Sequence, residues 1–189
     1  MLFVGLGNPG FQYEGTRHNV GFSVISSLAK SRGINFIHKE RFNCDIASSF
    51  IGDKKVIFAK PMTYMNLSGF SISHVKEYYK IPLQNIVVIH DEIDLPLGKI
   101  KAKIGGGHAG HNGIKSIDNQ IGNEYLRIRI GVGRPPENYN LSNWVLEKFS
   151  DDEKSIIDKL TNMLSVDLST IIKRDIIEIN KIFARDYGV

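Results

Sequence analysis

Apolar and polar positions along this chain follow two periods, and the switches between them mark its elements. The run LFVG at residues 2–5 reads as a buried strand, and VGFSVISSLAKSRG at 20–33 has the period of an amphipathic helix closed by Gly33. NCDIASSFIGDKKVIFAKP at 43–61 reads as two strands turning at Gly52 and Asp53. NLSGFSISHVKEYYK at 66–80 predicts a helix stopped by Pro82, and NIVVIHDEIDLP at 85–96 predicts a central strand whose carboxyl end carries polar groups. KIKAKI at 99–104 is a strand running into the glycine-rich GGGHAGHNG at 105–113, followed by a short helix IKSIDNQIG and a strand YLRIRIGVG. From Ser150 onward the pattern predicts two helices broken near Ser165. Alternation of strand and helix over most of the length predicts an α/β fold: one domain over residues 1–189, a twisted mixed β-sheet flanked by helices, with a helical C-terminus.

GLGNPG at residues 5–10 fits the G-x-G-x-x-G dinucleotide pattern letter for letter. That pattern needs a helix opening within the glycines and an acidic residue about 20 positions on. Here the first amphipathic run begins only near Gly21, and the expected acidic position reads AKSRG. The hexapeptide is better read as a tight turn presenting Asn8 and Pro9 at a strand's end, where open α/β sheets place their ligands.

Composition adds little to this picture until the charges are placed. With 189 residues, 42% hydrophobic and 23% charged, the chain suits a soluble globular domain with a real core. Cys44 is the one cysteine, so no internal disulfide forms and a reducing, cytoplasmic setting is favoured. No basic segment leads into an apolar stretch and no apolar run approaches about 18 residues, so neither secretion nor membrane insertion is expected. A net charge of +4 and a pI near 9.1 admit a polyanionic partner.

The strand ends deliver Asn8, then His18 and Asn19, and Asp91 toward one edge of the sheet. A histidine oriented by a carboxylate acts as a general base, and His18 with Asp91 would supply that pair. The bland alternative, one of six histidines with no catalytic role, is open because sequence separation alone does not join the two. A metal site is the competing use of His90, Asp91, His108 and His111, but H-E-x-x-H and C-x-x-C are both missing. No G-x-S-x-G elbow supports a serine nucleophile. In KIKAKI, Lys99, Lys101 and Lys103 share one strand face, and YLRIRI repeats the device with Arg127 and Arg129. A bound phosphate would relieve their repulsion; a solvated sheet face is the alternative. The glycine-rich stretch suits a backbone that approaches a ligand and offers N–H groups to an anion.

Taken together, these stretches resemble the bacterial-type peptidyl-tRNA hydrolases. The resemblance rests on VGLGNPG with Tyr13, TRHN at 16–19, KPMTYMNLSG at 60–69, HDEIDLPLGKIKAKIGGGHAGHNG at 90–113 and RIRIGVGRP at 127–135. It implies an enzyme that, without metal or organic cofactor, cleaves the ester between a peptide and the 3′-terminal ribose of tRNA, recycling tRNA from aborted translation. By that resemblance His18 is the catalytic base and Asp91 its partner, while Asn8, Asn66 and Asn112 line the crevice. Asn66 is the candidate oxyanion donor, or alternatively the N-cap of the helix that follows it. Tyr13 and Met65 would form apolar wall, and His111 would contact substrate. Lys103 and Arg129, with Lys101 alongside, would clamp a phosphate near the 5′ end of tRNA without reading bases. The family usually carries glycine where Glu147 stands, in a helix or lid bordering the crevice. A monomer with no obligatory protein partner and no membrane contact is implied. Two other functions compete: a relative that binds RNA but has abandoned hydrolysis, and a nucleotide-binding oxidoreductase, which the missing acidic residue opposes.

Overall fold

Strands that are apolar on both faces occupy the middle of a seven-stranded sheet. A computed structural model describes residues 1–184. The strands are β1 (Leu2–Gly5), β2 (Ile37–Lys39), β3 (Cys44–Ile51), β4 (Lys54–Pro61), β5 (Ile86–Glu92), β6 (Ile100–Ile104) and β7 (Leu126–Gly131), in spatial order β2-β3-β4-β1-β5-β7-β6. The four central strands, β4, β1, β5 and β7, run parallel; β3 joins β4 antiparallel, β2 joins β3 antiparallel, and β6 joins β7 antiparallel. β1 and β5 are buried throughout, as strands covered on both faces must be.

Helices cover both faces. α1 (Val20–Lys30), α5 (Asp151–Val166), α6 (Leu168–Lys173) and α7 (Ile176–Phe183) pack on one, where Val24, Leu28, Leu160 and Ile179 meet Phe3, Val87 and Ile89. α2 (Ser68–Tyr78) and α3 (Asn112–Ile121) pack on the other, where Ile72, Val75, Ile114 and Ile117 meet Leu2, Val4, Ile86 and Val88. A short α4 (Leu141–Leu146) lies apart from both layers. The mixed, helix-flanked sheet predicted from the sequence is thus observed.

Three local expectations are corrected. Among the described residues the C-terminal region holds three helices rather than two: α5 runs through Ser165, the first break falls at Asp167, and a second falls at Arg174, which is left-handed with φ 60°. The helix after the glycine-rich stretch starts at Asn112, earlier than its apolar period suggests, because His111 caps it. Asn66 is not an N-cap; it sits in a 3-10 turn over Met65–Leu67, and α2 has no side-chain cap.

The glycines of the opening turn serve close packing. A Cβ on Gly5 would stand 2.2 Å from the Gly21 carbonyl oxygen, and one on Gly21 would stand 2.4 Å from that of Ile89. The first turn of α1 therefore rests directly on the backbones of β1 and β5. Parallel alignment brings the carboxyl ends of β1, β4, β5 and β7 to one end of the sheet, the position where open α/β sheets build their sites.

Candidate active site

Asp91 stands near the carboxyl end of β5, 4% exposed, and His18 projects from a 3-10 turn over Arg17–Asn19 directly ahead of α1. Seating α1 on β5 closes the gap of 73 residues: His18 Nδ1 lies 2.9 and 3.1 Å from the two Asp91 oxygens. Burial would lower the His18 pKa, but the charge and hydrogen bond of Asp91 outweigh it and raise it above the ordinary 6.5. Burial would likewise raise Asp91, yet the two histidines that bond it, His18 and His111, hold it well below the usual carboxylate range. With Nδ1 engaged by Asp91, Nε2 of His18 is left as the basic nitrogen.

A second histidine shares the same carboxylate. His111 Nε2 is 3.0 Å from Asp91 Oδ1, while its Nδ1 accepts the backbone N–H groups of Gly113 and Ile114 at the start of α3. That cap keeps the ring proton on Nε2, which donates to Asp91. Among the described residues His18, Asp91 and His111 form the one group close enough to hold a metal ion. The chemistry opposes it: a metal on His111 Nε2 would displace the proton that its capped Nδ1 has no room to accept. His90 does not join the group; its Nδ1 bonds the Asp91 carbonyl at 2.7 Å, and burial holds it well below the ordinary histidine range. His108 is exposed, its Nδ1 accepting from Gly110 N–H.

A cleft of about 530 Å³ opens over this pair. Asn8, Met65, Asn66, His111 and Asn112 line it with His18 and Asp91, and Leu141, Val145 and Leu146 of α4 form its opposite wall. Asn8 is fixed from two sides: its Oδ1 accepts Met65 N–H at 2.8 Å, and Asn19 pairs with its backbone N–H and carbonyl, both at 2.9 Å. Its amide Nδ2 is left for a ligand. Asn66 and Asn112 are exposed, and their side chains have no partner among the described residues. Tyr13 does not line the cleft; Tyr64, which the sequence reading passed over, does.

The basic residues divide into two kinds. Lys101 faces Arg129 across the β6–β7 ladder and Lys103 faces Arg127. Arg127 is 1% exposed and structural, paired with Asp118 at 3.0 Å and donating to the Gly106 and Gly107 carbonyls. The glycine-rich loop is therefore pinned from beneath by a guanidinium. Arg129, 3.5 Å from Glu92, and the two lysines remain near the surface. Burial, then the charges of Arg129 and Arg127, lower the Lys103 pKa, the mark of a crowded positive site.

Arg17, next to His18, was missed because nothing in its periodicity separates it from a surface charge. It is 4% exposed and ties the His18 turn to the far wall: its Nη2 donates to both Glu153 oxygens at 2.9 Å, its Nη1 donates to the Lys148 carbonyl, and the guanidinium stacks 3.6 Å over Trp144 of α4. Glu147 ends α4 at φ −80°, a conformation that does not require glycine; its side chain accepts from the Tyr139 hydroxyl.

The family model for peptidyl-tRNA hydrolase matches residues 2–187. Peptidyl-tRNA hydrolase of Rickettsia bellii (strain RML369-C) is 56% identical over 166 residues, covering 86% of this chain and 90% of that protein. The Rickettsia africae enzyme of the same name is 49% identical over 183 residues, 96% and 99% of the two chains. The crystal structure of peptidyl-tRNA hydrolase from Acinetobacter baumannii superposes with a TM-score of 0.88 at 37% identity, over 94% of this chain and 90% of that one. Sequence, sheet topology and the match along nearly the whole length agree, and the chain belongs to the peptidyl-tRNA hydrolase family.

Proposed function

We propose that this protein hydrolyses the ester joining a peptide to the 3′-terminal ribose of tRNA, with His18 as general base oriented by Asp91. The observation that carries the reading is the His18–Asp91 bond beneath a cleft ringed by three asparagines. Water held by His18 Nε2 loses its proton as it attacks the ester carbonyl, and the imidazolium that forms is stabilised by Asp91 and returns the proton to the ribose 3′ oxygen as the C–O ester bond breaks, help typically worth about 10² to 10⁴ in rate. Negative charge on the carbonyl oxygen is met by an amide donor, assigned to Asn66; Asn8 and Asn112 hold the peptidyl main chain and the acceptor end. Met65, 4% exposed, backs the ester end. His111 meets substrate only by its ring carbons, since both nitrogens are engaged within the protein.

Lys101, Lys103 and Arg129 bind a phosphate of the acceptor stem. Such contact ignores base identity, so all elongator tRNAs serve, and affinity falls with salt. The enzyme works as a monomer in the reducing cytoplasm, where its one cysteine, Cys44, stays a buried thiol; no described helix is long and apolar enough to cross a membrane.

The test is release of N-acetylaminoacyl groups from acylated tRNA in EDTA, beside unblocked aminoacyl-tRNA and the His18→Ala variant. Cleavage of the blocked substrate alone, lost with His18, is expected. Full turnover by His18→Ala overturns the base assignment, and tight tRNA binding without cleavage favours the RNA-binding relative.

A further inference from the structure

The free edge of the sheet is closed at one residue by a side chain from the C-terminal helix. β6 pairs with β7 on one side only, so alternate backbone groups on its outer edge lack a strand partner. At Ala102 both are satisfied by Asn180 of α7: Ala102 N–H donates to Oδ1 at 2.7 Å, and Nδ2 donates to the Ala102 carbonyl at 3.1 Å. One amide thus supplies the two bonds a neighbouring strand would make. Its helix is anchored, since Ile179 and Phe183 on either side are buried in the core that also holds the Ala102 side chain.

Ala102 stands between Lys101 and Lys103. Strand alternation sends Ala102 inward, 5% exposed, and the two lysines to the opposite face. Those lysines lie across the ladder from Arg129 and Arg127, and although Glu92 and Asp118 offset part of the charge, the ladder keeps an excess of positive side chains that β6 must be held against. Asn180 grips the backbone between the repelling pair from the outside. We propose that Asn180 is a positioning residue for phosphate recognition, holding β6 so that Lys101 and Lys103 are set against Arg129 before tRNA arrives. The inference rests on the reading of those three side chains as the phosphate site. It touches neither His18 nor the cleft.

The test compares two substrates: full-length N-acetylaminoacyl-tRNA, and the same acyl group on the 3′-terminal trinucleotide, which has no acceptor stem. Asn180→Leu, close in size and unable to form either bond, is expected to raise KM for the full-length substrate about tenfold with kcat unchanged. Turnover of the trinucleotide ester should be unaltered. Asn180→Ala removes the same two bonds without introducing bulk or charge, a similar rise in KM is expected, and it serves as the measurement if the leucine variant folds poorly. An unchanged KM in both variants, or equal losses on both substrates, overturns the proposal and leaves Asn180 a packing residue. Lys103→Ala run in parallel separates the two ideas: if it leaves KM for full-length substrate unchanged, the phosphate site itself is misassigned.

Discussion

His18 and Asp91 meet through Nδ1 and Oδ1 at 2.9 Å, and the carboxylate reverses what burial would do to the imidazole. As the proposed base, His18 must be unprotonated to act, and its pKa is raised, so kcat/KM should climb with pH through a limb above the ordinary 6.5. In Asp91→Asn the charge is gone and burial is left to depress the pKa. The limb should move to lower pH while the plateau falls by about 10² to 10⁴. A pH–rate profile decides it: a limb that stays in place means that Asp91 does not set the pKa of the base.

His111 does two separable jobs. Its Nδ1 caps α3 and its Nε2 holds Asp91. His111→Asn keeps a good capping side chain but cannot reach Asp91, so the cap should account for less than about 1 kcal/mol of any stability change, and a larger loss reports the missing bond to Asp91. A hydrogen bond to a charged group is worth about 1.5–3 kcal/mol, so kcat should fall about 10- to 100-fold. Thermal melting and steady-state kinetics on the one variant separate the two roles, and unchanged kcat would remove His111 from the positioning of Asp91.

Arg127 supports the glycine-rich loop from inside. Arg127→Met would leave the Gly106 and Gly107 carbonyls without their side-chain donor and the Asp118 carboxylate with only the Tyr125 hydroxyl. Breaking a buried pair this way costs about 3–5 kcal/mol. Urea denaturation should show that loss. A stable variant with weakened tRNA affinity would instead make Arg127 part of the phosphate site.

The hairpin at Gly52 and Asp53 and the central strand ending in Asp91 were legible because each has a strong local cause: a left-handed glycine at φ 61°, and a strand buried on both faces. β2 was not, because three residues on an edge with an exposed Ile37 carry no burial pattern. α4 is short and has no buried residue, so no apolar period announces it; its one signal is Asn140, whose side chain accepts the N–H groups of Ser142 and Asn143. At the site, residue types pointed to His18, Asp91 and the asparagines, whereas the different fates of Arg127 and Arg129 did not show. Both share one strand face, and only the packing of Asp118 beneath the loop buries the first. The hold of Asn19 on Asn8 and of Arg17 on α4 depends on backbone carbonyls, which sequence patterns do not reveal.

Arg17 links the turn that carries His18 to the α4 wall, and the chain's single tryptophan reports on the link. The guanidinium lies 3.6 Å over Trp144, whose indole N–H donates to the Gly133 carbonyl at 2.9 Å. Thr16 and Lys148 form a β-bridge beside it, so turn and wall share backbone contact as well. Lysine keeps the charge of Arg17 but has no planar fork to reach Glu153 and the Lys148 carbonyl together and no flat face for the ring. Arg17→Lys should therefore loosen α4 without neutralising anything near His18. Trp144 emission should shift to the red and become more accessible to acrylamide, and kcat/KM should fall as the cleft wall loses its fixed position, with the pH limb of His18 unmoved. Loss of activity with unchanged Trp144 emission would place the effect of Arg17 on His18 itself instead of on the wall.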